Sequence, residues 1–139
     1  MRAIRLQVEY LTKPLGLGKR KPRFYWNAED GVTQTAYRII CTRDNETVWD
    51  SGKVESSTMT HIPYEGSALN SRDTVDWSVQ LWDENGEPGE VSESSFEMGL
   101  LEMSDWTAKW IAGDYRPVSG RRYPADCFKK DFTAQGKVK

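Results

Sequence analysis

The stretch from Thr74 to Asp83, TVDWSVQLWD, restricts what this chain can fold into more than any other. Read with a period of two, Val75, Trp77, Val79 and Leu81 fall on one side, and Asp76, Ser78 and Gln80 fall on the other. That is the pattern of a half-buried β-strand, which needs a hydrogen-bonded neighbour beside it and a second layer over its apolar face. The run ends in Asp83-Glu84-Asn85-Gly86, where the Asn-Gly pair can take the positive φ of a tight turn. A further extended run, Ser94 to Met98, lies beyond, so an antiparallel pair is expected here, with its apolar side seeking another sheet.

The rest of the first hundred residues supplies candidates for that second sheet. Ile4, Leu6, Val8 and Tyr10 alternate with Arg5, Gln7 and Glu9, predicting an opening strand with one wet face that stops near Pro14. Lys13 to Pro22, KPLGLGKRKP, reads as a loop. In Arg23 to Ala28 the residues Phe24, Trp26 and Ala28 share a face, and Glu29-Asp30-Gly31 turns the chain. Thr35 to Thr42 places Tyr37, Ile39 and Cys41 inward and Arg38 outward, while Ile40 breaks the alternation and is expected to touch another module. Thr47 to Ser51 is a fourth short run. Thr58 to Tyr64 is a fifth, with Thr60, Ile62 and Tyr64 on one face and Pro63 arguing for an edge position. Seven short strands separated by turn signals predict an all-β chain, an immunoglobulin-like or fibronectin type III-like antiparallel β-sandwich of about 100 residues.

The texture changes after Gly99, so the sandwich is assigned to residues 1–99 and a C-terminal extension to 100–139. Leu100 to Trp110, LLEMSDWTAKW, offers Ser104 as a cap or turn former and reads as a linker, followed by a Gly/Pro-rich stretch through Pro124. Cys127 to Phe132 is strand-like again, but a lone strand cannot bury a core of its own. The expectation is an N-terminal piece of a longer protein, cut early in its next domain.

Charge and composition exclude several roles. Nineteen basic against 21 acidic side chains leave a net charge of −2, which gives no overall drive toward nucleic acid or an anionic membrane. No run approaches the roughly 18 apolar residues of a membrane span, and MRAIRLQVEYL interrupts with charges the apolar block a signal peptide needs. As written, the chain is expected in the cytoplasm unless a leader was removed. Cys41 and Cys127 are expected as free thiols.

No catalytic, cofactor or metal site is expected. A metal needs converging ligands, whereas the chain has one histidine, His61, read as solvent-facing, and two dispersed cysteines. Gly16-Leu17-Gly18-Lys19 lacks the spacing of a phosphate loop, and Lys19, Arg20, Lys21 and Arg23 read as a solvated loop. Asp83, Glu84, Glu87, Glu90 and Glu93 cluster around one hairpin, but glycoside hydrolysis needs two carboxylates held across a sugar in a pocket that shifts one pKa. Exposed acids in a turn have no such pocket. Trp49, Trp82, Trp106 and Trp110 are the candidates for a contact surface, either stacking on a carbohydrate or, more often for such residues, packing against a neighbouring domain.

Several ordered blocks go further. Lys21-Pro22-Arg23-Phe24-Tyr25-Trp26, Gln34-Thr35-Ala36-Tyr37-Arg38-Ile39 and Trp49-Asp50-Ser51-Gly52-Lys53-Val54 resemble the N-terminal module of bacterial α-L-rhamnosidases of glycoside hydrolase family 78. Leu69 to Arg72, Trp77 to Gly86, Phe96 to Leu101 and Asp105 to Ile111 extend that similarity over nearly the whole chain. The resemblance implies a fibronectin type III-like sandwich up to about Gly99. A jelly-roll-like, carbohydrate-binding-type domain would then begin, with Tyr123 to Phe132 as its early strand. It also implies that the catalytic acids sit on a later helical barrel with no counterpart here. The chain would then be a non-catalytic accessory module whose partners are the downstream domains of its own polypeptide; the alternative is a carbohydrate-binding module with Trp49 or Trp82 as the platform. Where such modules place a corner tyrosine six residues after a leucine, here Leu69, this chain has Val75, so that corner is expected to be held by packing alone.

Overall fold

The computed structural model describes residues 1–113, 118–120, 122 and 127–136. Contacts divide the chain into two units, Met1–Trp106 and Thr107–Lys139. The first unit carries eight strands: β1 (Arg2–Val8), β2 (Arg23–Glu29), β3 (Ala36–Arg43), β4 (Glu46–Asp50), β5 (Val54–Glu55), β6 (Ile62–Pro63), β7 (Thr74–Trp82) and β8 (Ser92–Glu97). One sheet has the order β1-β2-β6. The other runs β4-β3-β7-β8, with β5 continuing the β4 edge along β3. All the strand pairings are antiparallel, and the two sheets face each other as the layers of a β-sandwich.

The alternation in β7 survives intact, with Val75, Trp77, Val79 and Leu81 all buried. Its two neighbours answer in register: Cys41, Ile39 and Tyr37 of β3 stand opposite Trp77, Val79 and Leu81, and Phe96 of β8 stands opposite Val75. From the other sheet, Phe24 of β2 enters this wall. Its ring centroid lies 4.7 Å from Trp77, 5.7 Å from Trp49 and 6.1 Å from Phe96. Such aromatic pairs add about 0.5–1.5 kcal/mol each beyond the area they bury.

One polar side chain is buried with them. Gln34, 2% exposed, accepts the Trp26 indole N–H at 2.9 Å and donates to the carbonyls of Ser56 and Thr58 at 3.0 and 3.2 Å. It thereby ties the β5–β6 connection to the centre of β2.

In β1 the expected phase holds only in part. The register slips between Ile4 and Gln7, and Arg5 takes a left-handed φ of 52°. The bulge changes the inward side partway along the strand, so Val8 is buried as expected, but before it Ala3 is buried in place of Ile4; Ile4 and Leu6 are half-buried and Tyr10 is exposed. β2 departs in another way, since Tyr25 is buried along with Phe24 and Trp26. Its outer face is covered by Tyr10, at a ring distance of 4.5 Å, and by His61, at 5.0 Å. Burial and then the neighbouring Tyr10 hydroxyl push the Tyr25 phenol up to about 12.

Beside that patch Glu9 accepts the Arg23 backbone N–H at 2.7 Å and forms a forked pair with the Arg23 guanidinium at 3.0 and 2.7 Å. This pair, reinforced by Lys19, holds the Glu9 carboxyl down at about 2.

The corner near Leu69 is not held by packing alone. Val75 is fully buried, but the Tyr64 hydroxyl donates to the Ser67 carbonyl at 2.8 Å, so a tyrosine earlier in the chain supplies the bond to the backbone. In the second unit Cys127 to Phe132 forms no strand, because no strand among the described residues pairs with it; Tyr123 to Asp126 lie outside the described residues.

Two tests probe this architecture. Replacing Gln34 by Leu strands the Trp26 N–H and two carbonyls, and equilibrium denaturation should show a loss of more than about 2 kcal/mol. An unchanged midpoint would remove Gln34 from the core account. The Glu9 pair contributes stability that is fully present above the ordinary glutamate range and is lost as pH falls toward 2. The stability gap between the wild type and Glu9→Gln should therefore narrow between pH 5 and pH 2, whereas a gap constant across that window would contradict it.

Candidate functional surface

The four tryptophans singled out from sequence occupy unlike environments. Trp49 is half-buried at the β4 edge, with Phe24 stacked against its ring at an interplanar angle of 29° and Tyr64 meeting it edge-on at 5.4 Å. Trp82, also half-buried, ends β7 and carries the Lys53 ammonium 5.2 Å from its ring centre. Both rings thus already have partners within the sandwich. Trp106 is 59% exposed at the end of the first unit, and Trp110, in the second unit, is 98% exposed.

Trp106 stands on a tightly bonded exit. Beyond β8 the Gly99 N–H donates to the Leu17 carbonyl at 2.8 Å, and the Leu101 N–H donates to the Ser71 hydroxyl at 2.8 Å. That hydroxyl in turn donates to the Asp105 carboxylate, which also accepts the Glu102 N–H at 3.0 Å. A single 3-10 turn, Met103–Asp105, forms between them, started by Glu102 rather than by Ser104. Arg20 reaches over from the basic loop to the Leu101 carbonyl at 3.3 Å and pairs with the Glu102 carboxylate. The Ser71 hydroxyl, followed by the Glu102 amide, holds the Asp105 carboxyl below its usual range.

Ile40 is half-buried on the outer side of β3, opposite Ser78 in a shallow surface with Thr42 and Asp76. His61 is exposed and shares a 2.6 Å hydrogen bond with the Tyr10 hydroxyl. Two carboxylates of the acidic hairpin are tied to backbone amides: Asp83 accepts the N–H groups of Asn85 and Glu87 in its own turn, and Glu84 accepts those of Val32 and Thr33 in the β2–β3 connection. Among the described residues no group of three or more His, Cys, Asp or Glu could hold a metal ion.

A cleft that single-residue reasoning missed opens where the two sheets part. It measures about 480 Å³ and is lined by Trp49 and Val54 from the β4–β5 edge, Tyr37 from β3, Ile62 and Pro63 from β6, and Glu65 beyond it. Asp50 and Ser51 complete the rim, with Asp50 engaged by Arg38 at 2.9 Å and Ser51 accepting the Ile39 N–H at 2.8 Å. Tyr37 is 8% exposed; its burial, and then the charge of Glu65, raise its phenol above the ordinary range. Among the described residues the Tyr37 hydroxyl, the Trp49 indole N–H and the Glu65 carboxylate make no hydrogen bond or ion pair. The signal for this cleft is divided among four strands, so no local motif marks it.

Comparison with known proteins places this geometry. The family described as Rha78A-like, N-terminal immunoglobulin domain matches residues 3–102. An α-L-rhamnosidase of Streptomyces avermitilis is 40% identical over 114 residues, covering 76% of this chain and 11% of that protein. One from Alteromonas sp. is 38% identical, covering 74% of this chain and 12% of its own length. The solved structure of the Streptomyces avermitilis enzyme complexed with L-rhamnose superposes with a TM-score of 0.73 at 39% identity, over 80% of this chain and 12% of that one. The enzyme from Dictyoglumus thermophilum gives 0.71 at 37% identity, over 79% and 14%. The chain therefore spans about an eighth of the proteins it matches. By sequence and by fold, it belongs to the Rha78A-like, N-terminal immunoglobulin domain family.

Proposed function

We propose that this chain is a non-catalytic accessory module of an α-L-rhamnosidase, an enzyme that would hydrolyse terminal α-L-rhamnosides with residues carried elsewhere in a longer polypeptide. The observation that carries this reading is the way the carboxylates are used. Glycoside hydrolysis requires two of them free to face one sugar. Asp83, Glu84, Glu9 and Asp50 are instead committed to backbone amides or to arginines, and Glu65, which makes no such bond, shares its cleft with no second free carboxylate because Asp50 there is held by Arg38. The match of residues 3–102 to an N-terminal domain, within relatives about eight times longer, supports a position ahead of the catalytic machinery.

The role is to brace the domains that follow, among them a jelly-roll-like domain beginning in the segment after Trp106. The exit supports this role physically. Ser71, Asp105 and Arg20 fasten residues 101 and 102 to the sandwich, and Trp106, at the end of the first unit, is exposed for a neighbour. Ile40 and Trp110 offer further contacts of this kind.

Incubated with an aryl α-L-rhamnoside, the isolated chain should show no turnover. Turnover abolished by replacing one of its carboxylates would overturn the division of labour. Ser71→Ala should also speed hydrogen exchange of the Leu101 and Glu102 amides by about tenfold, the equivalent of roughly 1.4 kcal/mol, while leaving β7 unchanged. Equal protection in the variant would mean that the exit is held by something other than this network.

A further inference from the structure

The cleft between the β4–β5 edge and β6 is fitted to a ligand by its chemistry, because its unused polar groups come in complementary kinds. The indole N–H of Trp49 can only donate, the Glu65 carboxylate can only accept, and the Tyr37 hydroxyl can do either. Beside them Val54, Ile62 and Pro63 give an apolar wall, and the volume of about 480 Å³ falls within the range of small-molecule sites. An ammonium or guanidinium group carries donors alone and would leave the indole N–H without a partner. A carboxylate or phosphate would face Glu65. Only a group that both donates and accepts meets all three, and a hydroxyl does so. Stacking is not the mode of binding, since the faces of Trp49 and Tyr37 are already engaged by Phe24, Tyr64 and Trp26.

We propose that this cleft is a binding site for one neutral saccharide unit, its hydroxyls bridging Tyr37, Trp49 and Glu65 and its C–H edge resting on Val54, Ile62 and Pro63. The site stands independently of the accessory role. Only the choice of L-rhamnose as first probe follows from that role, and the methyl group of this 6-deoxy sugar suits the aliphatic wall.

The test is a two-dimensional amide and indole NMR titration of the 139-residue chain with L-rhamnose, D-glucose, glycerol and N-acetyl-lysine amide in turn. A saccharide should give saturable shifts at millimolar concentration, confined to the Trp49 indole and to residues 50–54 and 62–65. Tyr37→Phe and Glu65→Gln should each weaken binding at least fivefold. Both variants remove groups that make no internal bond, so their spectra should otherwise match the wild type. If glucose binds there and rhamnose does not, the saccharide site stands and the rhamnoside parentage is weakened. No saturable shift with either sugar, shifts unaffected by both substitutions, equal binding of glycerol, or binding of the lysine derivative alone would each overturn the proposal.

Discussion

The insertion of the Phe24 ring between Trp77, Trp49 and Phe96 is the contact on which the rest of the structure depends. It joins the small sheet to the large one at the point where β7 is flanked on both sides by strands in register. A strand with one apolar face has no stable existence without a cover, and the cover is an aromatic cluster because the chain carries 16 aromatic residues against a hydrophobic share of 37%. The same cluster has a cost. The Trp77 indole N–H is sealed without an acceptor among the described residues, a loss of about 1–3 kcal/mol that the burial of so large a ring offsets.

This central wall was legible from polarity alone. In β7 the polar alternation is unbroken from Val75 to Leu81, and in β3 burial alternates from Tyr37 to Cys41 although the outward Ile40 is apolar; a period of two admits one inward side. Pro63 also did what its missing N–H dictates, ending on the two-residue edge strand β6. The features that escaped are those polarity does not encode. The left-handed backbone at Arg5 coincides with a slip in register against β2, which leaves Ala3 inward before it and Val8 inward after it. Tyr25 is buried on the outside of its sheet only because Tyr10 and His61 fold over it, a contact spanning residues 10 to 61. The family spacing puts a corner tyrosine after Leu69, where this chain has Val75, and the hydroxyl arrives instead from Tyr64.

The same contrast governs the candidate surfaces. Exposure of a tryptophan is a tertiary property, so four residues of one type separated into two packed rings, Trp49 and Trp82, and two exposed ones, Trp106 and Trp110. The exit depends on Ser71 and Arg20, far in sequence from the residues they fasten, and the cleft depends on side chains from both sheets.

Native-state hydrogen exchange tests the central claim most directly. If the β2 aromatic wedge and the β3–β7 ladder are the last structure to open, the amides of Ile39, Cys41, Trp77 and Val79 should exchange only through global unfolding, with free energies equal to that from denaturant melts. Those of β1 and β6 should open earlier. Amides of β7 that exchange faster than those of β1, or at a free energy well below the global value, would contradict a structure organised around that strand.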